Sequence, residues 1–322
     1  MPDVMLVSIG STAGLRAADE ELAASMRRAG ASVVVAPAHP PRALRTLALT
    51  DLSWALAARR AAQAAVVIEA RAVVYSTTTA ALFWPVPGAI RFDAPSAGNR
   101  PGRHGLWQRP MERRRLAQAP LLLPWSDGGL AEAPPGHGRA LVVPVPVEPS
   151  APTSARRDVA AITYAANPHK KGLDYVLEAW ARARRPGEEL IVCGAALRLS
   201  ADGVRCVGAL PPAEYRALLR RARVFVTAPR REDYGIAQLE ALADGCQLVT
   251  TAAPGPYAAL PLARSLDARL VGEDLASALR TALDDPLPDY AERAAAALAP
   301  FRREAVDALV AERLLPALLG GG

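Results

Sequence analysis

Lysine is almost absent from this 322-residue chain, although the chain is basic. Lys170 and Lys171 stand side by side, and arginine supplies the other cations of a formal net charge of +6. A basic excess fits nucleic acid, anionic membranes or phosphorylated substrates as partners. Aromatic residues make up only 5% of the chain and are not interleaved with basic ones, so no nucleic-acid partner is expected.

Long hydrophobic runs and a leader are also missing. No apolar stretch approaches the roughly 18 residues that a membrane-spanning helix needs. The N-terminus, MPDVMLVSIG, has no basic leader and is interpreted as a first strand. The three cysteines, Cys193, Cys206 and Cys246, have no metal-binding spacing, which predicts buried free thiols in a reducing compartment. We therefore expect a cytoplasmic protein.

The pattern of the chain predicts an α/β fold with two domains, since 322 residues exceed one typical core. Buried-strand runs such as VMLVSI (4–9) alternate with helix-like segments, and a second series begins at VAAITYA (159–165). Between the series, the proline-rich stretch 142–158 is interpreted as a linker. We expect two doubly wound, Rossmann-like domains, at 1–148 and 149–290, that face each other across a cleft.

A strand–glycine–helix junction at Tyr234, Gly235 and Ile236 is a candidate anion site. Free backbone N–H groups and the helix dipole favour an anion there, although turn chemistry alone explains such a junction equally well. Glu232 precedes the junction and Glu240 follows it. A carboxylate accepts from two vicinal hydroxyls, so the two acids suit a nucleoside diphosphate sugar. The alternative is an exposed loop acid and an exposed helix acid.

The lysine pair stands between a predicted strand and a predicted helix, in ANPHKKGLDYVLEAW. A cation at this place can reach a diphosphate bound at the strand ends. Two solvated lysines are the alternative interpretation. Because arginine is the cation at every other basic position of the chain, a lysine pair at a strand end favours a role in binding the diphosphate. Lys171 is the better candidate for this role.

The C-terminal half resembles the retaining GT-B glycosyltransferases of the sucrose-synthase and mannosyltransferase type, family four of the sequence classification. Their signature resembles E-G-F-G-x-x-x-x-E-A-x-A-x-G-x-P-V-V, and residues 232–249 here are EDYGIAQLEALADGCQLV, with the E-x7-E spacing intact. KGLDYVLEA (171–179) and the stretch 204–229 resemble further family elements. The similarity covers roughly 140–260, and the first half agrees in pattern only.

The resemblance implies transfer of a hexose from a UDP- or GDP-sugar to an acceptor hydroxyl, with retention of the anomeric configuration. Glu232 would contact the hexose hydroxyls, Glu240 the ribose hydroxyls and Lys171 the diphosphate. Backbone groups of the junction would also meet the diphosphate, and the end of a strand would line the base. These further donor-binding candidates are Tyr234, Gly235, Ile236, Ala237, Val207 and Gly208.

The resemblance also implies that no metal or other cofactor is needed, because cationic side chains and a helix dipole stabilise the leaving diphosphate. The lack of an Asp-x-Asp triplet and of a histidine cluster agrees with this expectation. The first domain would hold the acceptor, which is a glycan, a lipid or a small molecule. By analogy, the final helices, within 291–322, cross back to the first domain.

Two departures from the family stand out. The family usually has Gly-Arg shortly before the lysine, whereas this chain has Ala165, Ala166 and Asn167. Asn167 is therefore a donor-binding candidate, and Arg230 or Arg231 is expected to supply the missing charge. Loss of one charge-assisted contact costs roughly 1.5–3 kcal/mol, so a substitute is needed for activity.

The second departure lies in the first domain. Where the family often has a histidine at a strand end, AIRFDAPSAG has Asp93, which becomes a candidate catalytic residue. Gly14, in the loop Gly10–Gly14, is a candidate for contact with donor phosphate or acceptor. The basic segment Arg109–Arg115 resembles segments that contact anionic lipid on the inner face of the membrane, with a solvated helix face as the alternative.

Two rival functions remain. The missing arginine and histidine suit a catalytically weak or inactive GT-B protein that binds a nucleotide sugar as a structural subunit. A Rossmann oxidoreductase requires Gly-x-Gly-x-x-Gly after the first strand, but GSTAGL offers only Gly10 and Gly14. The first rival is the stronger of the two.

Overall fold

A computed structural model describes residues 1–39, 46–100, 102–151, 157–194, 196 and 201–320. The chain divides into two compact units, of which unit 1 is Met1–Pro146 with Arg303–Gly322 and unit 2 is Val147–Arg302. In the described residues, each unit has one five-stranded sheet, and all neighbouring strands are parallel. This arrangement confirms the predicted α/β class.

The strands follow the buried apolar runs of the sequence. They are β1 Val4–Ser8, β2 Val33–Pro37, β3 Ala72–Tyr75, β4 Ala89–Phe92, β5 Leu122–Pro124, β6 Val159–Tyr164, β7 Leu190–Cys193, β8 Val204–Gly208, β9 Ala222–Thr227 and β10 Gln247–Thr250. The sheet of unit 1 has the order β2-β1-β3-β4-β5, and that of unit 2 has the order β10-β9-β6-β7-β8. Every residue of the interior strand β1 is buried, as expected of a strand covered on both faces.

Helices connect the strands and cover the sheets. They are α1 Ala13–Arg28, α2 Leu47–Val67, α3 Thr78–Ala81, α4 Ser96–Asn99, α5 Gln108–Gln118, α6 Asp127–Ala131, α7 Leu173–Ala183, α8 Pro212–Arg221, α9 Ile236–Ala243, α10 Ala259–Leu266, α11 Leu275–Asp284, α12 Tyr290–Ala297, α13 Arg303–Leu309 and α14 Leu315–Leu319. A π-helical turn, Val310–Leu314, joins the last two. Among the described residues, no helix is long and apolar enough to cross a membrane.

The C-terminal segment belongs to unit 1 from Arg303 onward, whereas the sequence placed this return at 291. The difference lies in α12, which belongs to unit 2 because the Tyr290 hydroxyl accepts a hydrogen bond from the backbone N–H of Leu248, at 3.1 Å. Beyond α12, Val306, Val310 and Leu314 join the core around β1 and α1. Asp307 accepts a hydrogen bond from Ser25 Oγ at 2.5 Å and fixes α13 to α1. The units also change at 146/147 and not at the predicted 148/149.

Unit 2 brings two loops together at the carboxyl edge of its sheet, because β6 and β9 are neighbours. We call residues 165–172, which follow β6, the lysine loop, and residues 228–235, which follow β9, the acidic loop. The backbone N–H of Arg230 donates to the carbonyl of Lys170 at 3.0 Å. Gly172 caps α7 with φ of +61°, and a Cβ there would lie 1.8 Å from the Ala228 carbonyl oxygen. Only glycine permits this approach.

We predict that Gly172→Ala destabilises unit 2 by about 3 kcal/mol or more, because a positive φ and a backbone clash act together. Thermal and urea unfolding of the purified protein measure the change. Gly187→Ala is the matched control, since Gly187 has φ of +84° but nothing within 4 Å of an added Cβ. That control is expected to lose only about 1 kcal/mol. Equal losses in both variants would mean that the two loops do not depend on close contact.

Candidate functional site

A buried ion pair joins the lysine loop to the acidic loop. Lys171 Nζ lies 2.5 Å from Glu232 Oε2, and the two side chains are 19% and 6% exposed. Gln238 Nε2, on α9, donates to the same carboxylate oxygen at 2.9 Å. The backbone N–H of Glu232 donates to the carbonyl of Pro254 at 3.0 Å. Glu232 is therefore held from both its side chain and its backbone.

Asp233 forms a second bridge between the same loops. Its carboxylate accepts from Lys170 Nζ at 2.7 Å and from Arg231 Nε at 2.8 Å. Burial by itself would raise the pKa of Asp233, but the Lys170 and Arg231 cations outweigh it, so the pKa lies below its usual value. Asp233 is thus ionised and belongs to the same charge network as the Lys171–Glu232 pair.

The predicted anion site lies at the start of α9. Gly235 precedes the helix with φ of +93°, and in the described residues no side chain caps the helix N-terminus. A Cβ at Gly235 would lie 2.9 Å from the ring of Tyr257, so the backbone lies directly against that ring. Tyr234 is buried, whereas Ile236 and Ala237 are half-buried at the first turn. The first turn therefore presents backbone N–H groups that an anion can accept from.

Glu240 lies one turn further along α9 and is half-buried. Arg216 Nη1, from α8, lies 3.5 Å from Glu240 Oε1. Burial raises the pKa of Glu240, the Arg216 cation opposes this shift, and the nearby Asp244 carboxylate adds to it. The net direction is upward, so Glu240 takes up a proton more readily than a solvated glutamate does.

Three other predicted donor residues lie on the same edge of the sheet. Val207 and Gly208 end β8 and are half-buried, and the Gly208 carbonyl accepts from the backbone N–H of Gly194 at 2.7 Å. The side-chain and backbone oxygens of Asn167 accept from the backbone N–H groups of Lys170 and Lys171, each at 2.9 Å. Asn167 therefore shapes the turn that presents the lysines.

Both arginines that were expected to replace the missing family arginine have acidic partners. Arg230 binds Asp174 with two hydrogen bonds, at 3.0 and 2.7 Å, and stacks over the ring of Tyr175 at 4.6 Å. Arg231 binds Asp233. The charge of Arg230 is thus engaged with α7 at a surface position.

The remaining predicted residues belong to unit 1. Asp93 follows β4 and is half-buried, and its side chain accepts from the backbone N–H of Ala94 at 2.8 Å. Gly14 is exposed in the first turn of α1. In the basic helix α5, Arg109 donates to the carbonyls of Arg100 and Gly102, and Arg115 stacks on Trp84 at 4.9 Å. These two arginines serve the fold of unit 1.

Three residues of the site were not predicted: Gln238, which contacts Glu232, Arg216, which contacts Glu240, and Asp233, which binds Lys170 and Arg231. Gln238 lies between the two glutamates of the signature stretch, and this position could have indicated that it belongs to the site. The Arg216 contact has no such signal, because it joins two helices that are separated by a strand. Only packing of α8 beside α9 brings its guanidinium to Glu240.

Comparison with known proteins agrees with this geometry. Residues 158–285 match the family model described as glycosyl transferases group 1. The matched residues lie within unit 2. Together with the solved structures below, this match confirms the resemblance to GT-B glycosyltransferases expected from the sequence. A search of curated proteins found no match.

Solved structures share the whole fold at low sequence identity. WaaG, a glycosyltransferase involved in lipopolysaccharide biosynthesis, is 16% identical, with a TM-score of 0.71 over 99% of this chain and 100% of that one. HepE from Anabaena, in complex with UDP and glucose, is 16% identical, with a TM-score of 0.70 over 97% and 98%. Sucrose-phosphate synthase from Thermosynechococcus elongatus is 16% identical, with a TM-score of 0.66 over 100% of both chains. The chain therefore has the fold of these GT-B proteins.

We predict that Lys171→Met destabilises the protein by about 1–3 kcal/mol, because Glu232 is left buried without its cation. The double variant Lys171→Met/Glu232→Gln recovers part of the loss, since the uncompensated charge is removed as well. Urea unfolding near neutral pH measures both changes. Lys170→Met is the control and is expected to lose less, because Asp233 keeps Arg231. Equal losses for the two lysine variants would contradict the prediction.

Proposed function

We propose that the protein is a retaining, metal-independent glycosyltransferase that moves a hexose from a UDP- or GDP-sugar to an acceptor hydroxyl. The observation that carries the proposal is the buried Lys171–Glu232 pair, beside the α9 N-terminus, within a glycosyl transferases group 1 domain. A cation, a carboxylate and a row of backbone N–H groups together match the charges and hydroxyls of a nucleotide sugar.

In the proposed reaction, the bond between the anomeric carbon and the diphosphate oxygen breaks. A bond forms between the same carbon and the acceptor oxygen, on the same face of the sugar, and the proton of the acceptor hydroxyl passes to the leaving diphosphate oxygen. Negative charge develops on the leaving diphosphate. Lys171 and the backbone of Gly235, Ile236 and Ala237 stabilise this charge, which is the electrostatic role that a metal ion fills in other enzymes.

Glu232 has a different role before and after the donor binds. Without donor, Lys171 neutralises its buried carboxylate at 2.5 Å. A bound diphosphate competes for Lys171, and the freed carboxylate oxygens then accept hydrogen bonds from hexose hydroxyls. Donor binding therefore exchanges one set of charge-assisted contacts for another, which favours a ligand that carries both an anion and hydroxyls.

Structures of relatives support the choice of donor. HepE from Anabaena has been solved with UDP-glucose, and a trehalose-6-phosphate protein from E. coli with UDP-2-fluoro glucose. In this chain, Glu240 is assigned to the ribose, and Val207 and Gly208 to the base. Asp93 of unit 1 remains a catalytic candidate, and Gly14 a candidate for contact with donor phosphate or acceptor. The acceptor is a glycan, a lipid or a small molecule, in the cytoplasm or at the cytoplasmic face of the membrane.

A second candidate function is a nucleotide-sugar-binding subunit with little or no turnover. The engagement of Arg230 with Asp174 favours it, because the arginine that the family places on the diphosphate then has no free replacement in Arg230. Arg231 has Asp233 as a partner as well. The two candidate functions use the same donor site and differ only in whether the protein catalyses transfer of the bound sugar.

We predict that one of the UDP, GDP, ADP and dTDP sugars raises the unfolding temperature without added metal and in the presence of a chelator. Binding at a hundred times Kd stabilises a protein by about 2.7 kcal/mol. The donor so identified is then assayed for hydrolysis and for transfer to an acceptor panel. Binding with turnover supports the transferase, and binding without turnover supports the subunit.

Glu232→Ala and Lys171→Ala are expected to lower transfer at least 100-fold, about 2.7 kcal/mol of barrier, because each removes a charged contact to the donor. Glu178→Gln is the control, since Glu178 is an exposed acid of α7 whose side chain is 69% exposed. Undiminished transfer in either alanine variant would contradict the assignment of that residue.

A further inference from the structure

Arg216 occupies a position that donor chemistry does not explain by itself. Its guanidinium is held on two sides, by Nε donating to Asp244 Oδ2 at 2.6 Å and by Nη2 donating to the carbonyl of Glu148 at 2.7 Å. The remaining nitrogen, Nη1, lies 3.5 Å from Glu240 Oε1. The planar guanidinium thus uses two of its nitrogens, Nε and Nη2, in hydrogen bonds to fixed groups and presents the third, Nη1, to Glu240.

The anchor at Asp244 is itself rigid. The Asp244 side chain is fully buried, and its other oxygen accepts from the backbone N–H and the hydroxyl of Ser150, at 2.8 and 2.9 Å. Arg157 Nη2 donates to the Asp244 carbonyl at 2.7 Å. Arg216 is therefore anchored to a buried part of unit 2, and its side chain is only 15% exposed.

Glu240 depends on that cation. Asp244, four residues along α9, repels its carboxylate, and the neighbouring phenols of Tyr164 and Tyr215 are neutral because burial raises their pKa. Of the charged and titratable groups that face Glu240 from α8, α9 and β6 in the described residues, Arg216 alone favours the ionised form. Burial and Asp244 both favour the protonated form, which has one fewer acceptor site for a hydroxyl.

We propose that Arg216 is a positioning residue for the nucleotide: it holds the Glu240 carboxylate ionised and oriented, so that both carboxylate oxygens accept hydroxyls of the ligand. The inference rests on the proposed function of Glu240 as the ribose-binding acid. The 3.5 Å separation suits this role, since Arg216 attracts the charge without occupying the acceptor sites in a short hydrogen bond.

The test compares Arg216→Met and Arg216→Lys with the wild type, by titrating UDP and GDP from about pH 5 to about pH 9. Arg216→Met is expected to bind the nucleotides about tenfold more weakly near neutral pH, because a loss of this size corresponds to one charge-assisted contact. Its affinity is expected to recover as the pH rises and Glu240 ionises. Arg216→Lys keeps the charge, and its nucleotide affinity is expected to lie between those of the wild type and Arg216→Met. On a Glu240→Gln background, Arg216→Met is expected to have almost no further effect.

Arg221→Met is the matched control, because Arg221 lies on the same helix and pairs with Asp158 at the surface, where the side chains are 48% and 43% exposed. It is expected to bind nucleotide like the wild type at every pH. A loss in Arg216→Met that is the same at all pH values and persists on the Glu240→Gln background would overturn the inference, because it would reduce Arg216 to a structural anchor of α8.

Unfolding measurements separate this inference from the proposed function. If the wild type binds no nucleoside diphosphate, the proposed function fails, and a double-mutant cycle of Arg216→Met with Glu240→Gln still decides whether Arg216 holds the Glu240 carboxylate ionised. The stabilising coupling between the two residues is expected at high pH and is lost as the pH falls and Glu240 takes up its proton. A coupling that is absent at high pH, or that does not change with pH, would overturn the inference.

Discussion

The parallel pairing of β6 with β9 is the constraint on which the candidate site depends. It places the ends of two strands side by side, so that the lysine loop and the acidic loop start from neighbouring points. Gly172 then allows the loops to touch, since a side chain at this position would collide with the Ala228 carbonyl. With the backbones in contact, Lys171 reaches Glu232 and Lys170 reaches Asp233. The charge network is thus a consequence of strand order and one glycine.

A second general feature of unit 2 is that cations compensate the acids near the start of α9. Each acid near the start of α9 has a cation in reach: Lys171 for Glu232, Lys170 and Arg231 for Asp233, and Arg216 for Glu240. Buried charges require such partners, because desolvation would otherwise neutralise them. A ligand that brings its own anion and hydroxyls can exchange with these internal partners. Arg216 differs from the lysines, because hydrogen bonds to Asp244 and to the Glu148 carbonyl also hold its guanidinium.

Much of the fold and part of the site were predictable from the sequence. The strands coincide with apolar runs such as 4–9 and 159–165, because a strand that is covered on both faces must be apolar throughout. The glycine at the start of α9 and the two glutamates around it were predictable from spacing. The roles of Arg230 and Arg231 were not, since a sequence shows how many cations stand near a loop but not which acids they face. The residue at which the chain returns to unit 1 was not predictable either, because it depends on whether α12 packs in the core of unit 1 or of unit 2.

The sequence by itself determined the α/β class, the position of the lysine pair after a strand and the E-x7-E spacing, because these properties are local and depend on periodicity and chain neighbours. Only the tertiary structure decided that Lys171 pairs with Glu232, that Arg230 turns to Asp174 and that Arg216 stands beside Glu240. The members of these pairs are separated by 61, 56 and 24 residues of chain, respectively. Such contacts follow from strand order and helix packing, which no local pattern specifies.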